Sequence, residues 1–198
     1  MVNWHMALGI ISGFVQVYSI VPYIKSILKG QTRPNVISWS LWLVLQAIAI
    51  FGQISAGASW SLIFLLAMFF NIVLVLIISA RGYGYKKYGW LDFVCLASAI
   101  AAIIVWKTTG DPVLAIAGVV IADFIALIPT IAKTWREPFS ESAISWLILT
   151  VAAILAIFST VKIDFANLLY PVYAVLSSLI VVCLAYFGQR TPKFKVTC

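Results

Sequence analysis

Seven apolar stretches separated by short polar connections divide the chain, at residues 6–28, 38–56, 60–80, 90–106, 112–134, 142–160 and 165–187. Each is long enough to cross a hydrocarbon core, which takes ~20 helical residues, roughly 17–25. Inside lipid only helices and closed barrels satisfy every backbone donor and acceptor, and the stretches lack the period-2 alternation of barrel strands. The pattern predicts an all-α membrane protein of seven transmembrane helices, the fourth of them the shortest. With 64% hydrophobic and 10% charged residues and a mean hydropathy of +1.09, the chain lies far above the ~45–50% apolar usage of soluble domains. Met1 to Met6 form no basic region ahead of the first stretch, so a cleaved signal peptide is not expected.

One segment occurs twice without a gap. Pro22 to Trp39 returns 107 positions later as Pro129 to Trp146, pairing Pro22 with Pro129, Ile24 with Ile131, Lys29 with Arg136, Ile37 with Ile144, and Ser38-Trp39 with Ser145-Trp146. The same offset carries Val44 onto Val151 and Ala49-Ile50-Phe51 onto Ala156-Ile157-Phe158. Three spans is an odd number, so two adjacent copies would lie inverted; a single linker span makes them parallel. The expected organisation is 3+1+3: a first three-helix bundle at 1–80, a basic loop and linker helix at 81–111, a second bundle at 112–188 and a cytoplasmic basic tail at 189–198. Because the loop from Gly30 to Asn35 is short, the first two spans are expected to pair tightly and antiparallel.

Basic residues set the orientation. With seven spans, Lys25, Lys29, Arg33, Arg81, Lys86, Lys87, Lys133, Arg136, Arg190, Lys193 and Lys195 fall on one side, and of the 13 Lys and Arg residues only Lys107 and Lys162 fall on the other. The positive-inside rule places the first side in the cytoplasm, giving an outside N-terminus, an inside C-terminus and an expected location in the plasma (inner) membrane. Topology thus accounts for the net charge of +7, and no nucleic-acid partner is expected. Cys95 and Cys183 lie within spans and Cys198 is the last residue, so there is neither a disulfide framework nor a metal-ligand spacing. His5 is the only histidine, and no Cys-His, Ser-His or paired-carboxylate constellation accompanies it. No catalytic residue, metal or cofactor is expected.

Polar residues inside spans need partners or water. Ser12, Gln16, Ser19 and Tyr23 share one helical face of the first span. Trp39, Trp42, Gln46 and Gln53 share a face of the second, although Trp39 and Trp42 equally suit an interfacial belt. Asn71 is either interhelical glue, worth roughly 1 kcal/mol, or a substrate contact. Asp123 is the one carboxylate deep in a span and aligns with Gln16; such a residue is by default a functional hypothesis, with a structural carboxyl bonded to a neighbouring helix as the other reading. Tyr170, Tyr173 and Ser177 share a face of the last span, where Ser178 aligns with Asn71. Pro22 and Pro129 are expected bending points, and Glu137 and Glu141 read as surface charges.

The duplicated three-span unit, with proline near the cytoplasmic end of its first helix, a basic loop and serine at the start of its second helix, resembles the PQ-loop and SWEET/SemiSWEET transporter superfamily. The loop pattern of SWEETs is approximated by Pro22, Ile27, Lys29 and Thr32, and the Asn of their third helix by Asn71. Tyr23 and Thr130 stand where the Gln of the PQ dipeptide would be, Ser40 and Leu147 where SWEETs carry a second-helix proline, and Ser177 or Ser178 where the second pocket Asn would lie. The resemblance implies two three-helix bundles around a central pocket open to one side at a time. The expected function is a carrier moving a small polar solute, sugar-like or similar, by alternating access, with proton coupling through Asp123. Gln16, Trp42, Gln46, Asn71, Asp123, Tyr173 and Ser177 would bind the solute, with Pro22, Pro129, Trp39 and Trp146 as gates or hinges. The alternative is a receptor or scaffold on the same fold, as in the KDEL receptor. The partners expected are the solute and the lipid bilayer, with homo-oligomerisation left open.

Overall fold

The computed structural model describes residues 3–34, 36–84 and 90–190, with residues 91, 92, 95, 98, 99, 102, 103, 105 and 106 described by backbone alone. Lys86, Lys87, Lys193, Lys195 and Cys198, with most of the expected tail, lie outside the described residues. Within them the chain is helical: α1 (Trp4–Leu28), α2 (Val36–Ser55), α3 (Leu62–Ile78) continued by a wide turn (Ser79–Tyr83), α4 (Trp90–Thr109), α5 (Pro112–Arg136), α6 (Ala143–Ser159) and α7 (Phe165–Arg190).

Local chemistry sets several of these boundaries. The Asn3 side chain accepts from the His5 amide and opens α1. Asp111 accepts from the Val113 amide at 2.7 Å, with Pro112 at the first position of α5, where its missing N–H costs nothing. Asp164 accepts from the Asn167 amide at 2.9 Å and caps α7. Gly30 and Gly110 have φ of 72° and 63° and follow the ends of α1 and α4, a left-handed conformation that glycine adopts without a Cβ penalty. The expectation that the fourth span is the shortest is corrected here. The helix runs through Lys107, Thr108 and Thr109 to the Gly110 turn, reaching 20 residues, while α3 and α6 have 17 each.

Five of the helices, α1, α2, α3 with its continuation, α5 and α7, are long and apolar enough to cross a membrane, and α6 is apolar but shorter. Large apolar side chains such as Phe14, Phe51, Phe70, Ile121, Phe158 and Phe187 point outward. An apolar exterior around a core containing buried Ser, Gln and Asn is compatible with an integral membrane protein.

Helix pairing departs from the expected α1–α2 hairpin. The main neighbours of α1 are α3 and α6; α2 packs on α3 and α5, α7 on α5 and α6, and α4 on α5 and to a lesser extent α2. The cause lies in the small residues of α1. A Cβ at Gly9 would sit 2.7 Å from the Trp60 carbonyl oxygen, and one at Gly13 2.6 Å from Ile63 Cγ2, so these glycines allow the start of α3 to approach closely, as small residues do between membrane helices. On the other flank of α1, Ser12 donates to the Ala152 carbonyl at 2.7 Å across a surface where Ala152, Ala153 and Ala156 are fully buried. Under the 107-residue offset the pairs α1–α6 and α2–α5 are equivalent, as are α1–α3 and α5–α7, and α2–α3 and α6–α7.

A cavity between the two halves as candidate binding site

Six helices line a cavity of about 80 Å³. From α1 come Gln16, Ser19, Ile20 and Tyr23; from α2 Trp39 and Trp42; from α3 Met68, Asn71 and Ile72. Asp123 and Leu127 on α5, Ser145, Trp146 and Leu149 on α6, and Tyr170, Tyr173, Ala174 and Ser177 on α7 complete it. Four pairs of lining residues stand 107 positions apart: Gln16 and Asp123, Ile20 and Leu127, Trp39 and Trp146, Trp42 and Leu149. The two copies therefore present equivalent positions to one space between them.

Of the residues expected to bind solute, Gln16, Trp42, Asn71, Asp123, Tyr173 and Ser177 line this cavity. Gln46 does not. It is buried behind the wall, its Nε2 donating to the Leu65 carbonyl at 3.2 Å and its Oε1 accepting from the Tyr170 hydroxyl at 2.7 Å. Its amide is spent on holding Tyr170, which itself faces the cavity. Ser178, aligned with Asn71, is also structural, hydrogen-bonded to Thr150 on α6 at 2.8 Å and to the Ala174 carbonyl at 2.5 Å.

Asn71 joins two helices and also lines the cavity. Its Nδ2 donates to the Gln16 carbonyl at 2.6 Å and to Ser19 Oγ at 3.3 Å, joining α3 to α1. Only the amide nitrogen can donate to a carbonyl, so the orientation is fixed, and Asn71 Oδ1 is left buried with no hydrogen-bond partner among the described residues. Gln16 Oε1 and Trp42 Nε1 are in the same condition. Asp123 Oδ2 accepts from the Tyr173 hydroxyl at 2.5 Å. Tyr173 is thus the hydrogen-bond partner of the Asp123 carboxyl group, and Asp123 is the one acidic residue in the lining among the described residues.

Tyr23, Trp39, Trp42 and Trp146 separate the cavity from a vestibule of about 470 Å³ at the end bearing the repeat loops, and line both spaces. Tyr23 and Trp39 have ring centroids 5.4 Å apart, and Trp39 and Trp42 5.3 Å apart in an edge-on arrangement. Pro129 faces the vestibule, whereas Pro22 lies on a separate surface groove; α1 and α5 each continue through their proline as one helix. Glu141 was expected as a surface charge and is buried instead. Its Oε1 lies 2.6 Å from Lys133 Nζ, and its Oε2 accepts from Trp146 Nε1 at 3.1 Å. The position equivalent to Lys133 in the first copy is Ser26, which bonds Thr32 at 2.7 Å. Each repeat loop is closed on its own half, by hydroxyls in one and by an ion pair in the other.

No protein-family model, curated protein or solved structure matches the chain.

The two ends of the molecule differ in how the halves are joined. Away from the repeat loops, Val161 N–H donates to Ser59 Oγ at 2.7 Å, Lys162 Nζ to the Ala56 carbonyl at 3.0 Å, and His5 Nδ1 lies 3.2 Å from the Phe158 carbonyl. Lys162 also pairs with Asp164 at 3.1 Å. The Asn167 amide, then Lys162, hold the Asp164 carboxyl below the ordinary aspartate range. Mid-height, Ser12 to Ala152 and Tyr170 to Gln46 cross between the halves. At the loop end, the described side-chain bonds at Ser26, Lys133 and Glu141 stay within one half.

Proposed function

We propose that the protein is a membrane carrier that moves a small polar solute by alternating access, on a 3+1+3 arrangement of seven spans with α4 as linker, as the PQ-loop and SWEET resemblance implies. The observation that carries this reading is the placement of equivalent residues of both copies around one cavity, whose mainly apolar walls carry polar groups from both, with an aromatic lid at one end and cross-half hydrogen bonds at the other. Parallel repeats related by an axis along the membrane normal are a transporter architecture whose site lies at the repeat interface. In this proposal the conformation is closed at the Ser59–Val161 end and gated by Tyr23, Trp39, Trp42 and Trp146 at the loop end. The basic loops assign that loop end to the cytoplasm and the N-terminus to the outside. A proton gradient would act on the cycle through Asp123, the titratable carboxyl group of the cavity.

The size of the cavity supports a solute smaller than a sugar in this conformation. The test is labelling of a single cysteine at Ser177, after replacement of Cys95, Cys183 and Cys198, in oriented membranes. A carrier makes that position reachable by an impermeant thiol reagent from both sides, in alternation. A receptor or scaffold leaves it reachable from one side only, and that result would end the carrier reading.

A further inference from the structure

Several hydrogen-bonding groups around the cavity have no partner among the described residues. Asn71 Oδ1 and Gln16 Oε1 are buried acceptors without partners, and the residues themselves are 4% and 2% exposed. Asp123 adds a carboxylate of which Tyr173 engages one oxygen. Trp42 Nε1 is a buried donor without a partner among the described residues, and the Gln16 amide nitrogen is a further donor group of the lining. Among the described residues no Lys, Arg or His lines the space, and its walls carry the rings of Tyr23, Trp39, Trp42, Trp146, Tyr170 and Tyr173.

Resting on the carrier reading of the cavity, we propose that the solute is a small amino alcohol, its protonated amine placed among Asp123, Asn71 Oδ1 and Gln16 Oε1 and its hydroxyl accepting from Trp42 Nε1. An ammonium has three N–H donors and no acceptor, which matches three acceptor groups. Aromatic faces attract a cation through their ring quadrupoles, more strongly where water is excluded. A carboxylate-bearing solute would bury a negative charge beside Asp123 with no cation to pair it, a costly arrangement. A neutral diol would leave Asp123 without a counter-charge. The volume of about 80 Å³ further restricts the solute to a few non-hydrogen atoms.

Three probes of one size separate these cases: ethanolamine, ethylene glycol, in which hydroxyl replaces the ammonium, and glycine, in which carboxylate replaces the hydroxymethyl group. Binding to the purified full-length protein is read by calorimetric titration. Ethanolamine is expected to bind about tenfold or more tightly than either other probe, the loss of one charge-assisted hydrogen bond being of that order. Asp123→Asn keeps an acceptor oxygen for Tyr173 and is expected to weaken ethanolamine by a similar factor. Ethylene glycol or glycine binding as well as ethanolamine, an unchanged ethanolamine affinity in Asp123→Asn, or no binding by any probe, the case in which water alone satisfies these groups, would each overturn the proposal. Should Asp123→Asn fail to fold, the comparison of the three probes on the wild-type protein still decides. Because Ser177 labelling reports alternation without any solute, a carrier that alternates but ignores ethanolamine refutes this inference and leaves the carrier reading standing.

Discussion

Removing the cation from the Lys133–Glu141 pair should cost more than neutralising the anion. Glu141 is 3% exposed in its side chain and Lys133 36%, so the two partners lose different things when the other is gone. In Lys133→Met the carboxylate stays buried with only the Trp146 N–H. Fully buried pairs lose about 3–5 kcal/mol when one partner is removed; with water reaching the Lys133 side, the expected cost is about 2–3 kcal/mol. In Glu141→Gln the amide still accepts from Trp146 and the freed Lys133 can turn to solvent, so the expected cost is about 1 kcal/mol, near the net worth of one hydrogen bond. The double variant should lie close to Glu141→Gln alone, because the buried charge that makes Lys133→Met expensive is gone, and the cycle should give a coupling of roughly 2–3 kcal/mol in magnitude. Reversible unfolding of the purified protein in mixed detergent micelles measures all three. Costs within about 0.5 kcal/mol for both single variants, as for ordinary surface positions, or a greater cost for Glu141→Gln than for Lys133→Met, would refute the burial argument.

Gly9→Ala places its Cβ against the Trp60 backbone carbonyl, which cannot yield as the Ile63 side chain opposite Gly13 can. It should lower thermal stability, by about 1–3 kcal/mol of overpacking, more than Gly13→Ala does. Tyr170→Phe leaves the buried Gln46 Oε1 without its 2.7 Å partner and should cost about 1–2 kcal/mol, measured by the same unfolding assay. The Asp164 carboxyl is held below its ordinary value by the Asn167 amide and then by Lys162. Its stabilising effect is therefore complete above the unfolded aspartate range of about 3.9 and lost as pH falls through the lowered native value; Asp164→Asn should remove that acid-side step from a plot of melting temperature against pH.

Helix extents were approximately legible because apolar runs of membrane length are a local signal; the caps at Asn3, Asp111 and Ser142 and the glycines at 30 and 110, which the structure adds, set the ends. Helical spacing also put Gln16, Ser19 and Tyr23 on one face, and that face lines the cavity. What escaped depends on contacts between residues far apart in the chain. Gln46 has the same sequence appearance as Gln16, yet the Tyr170 hydroxyl, 124 residues away, occupies its amide. The buried state of Glu141 requires Lys133 and Trp146 to close over it, whereas its Ser-Glu-Ser surroundings look like any polar loop. A short connection between α1 and α2 suggested a hairpin, but Gly9 and Gly13 favour α3 as the partner through close approach, a preference written in small residues that carry no hydrophobic signal. Asn71 was read as either interhelical glue or a solute contact because an isolated Asn in an apolar span admits both, and its bond to the Gln16 carbonyl is a contact between distant residues that the sequence does not display.

A short bifunctional thiol crosslinker joining cysteines at Ser59 and Val161, whose side-chain oxygen and backbone amide are 2.7 Å apart, locks the end opposite the repeat loops. With a third cysteine at Ser177 and the three native cysteines replaced, labelling from each side of an oriented membrane reads whether the cavity alternates. The predicted result is labelling from the loop side alone while the lock is in place, and from both sides once the crosslinker is cleaved. Labelling from the opposite side that persists under the lock, or that never occurs after cleavage, would contradict alternating access between the two halves.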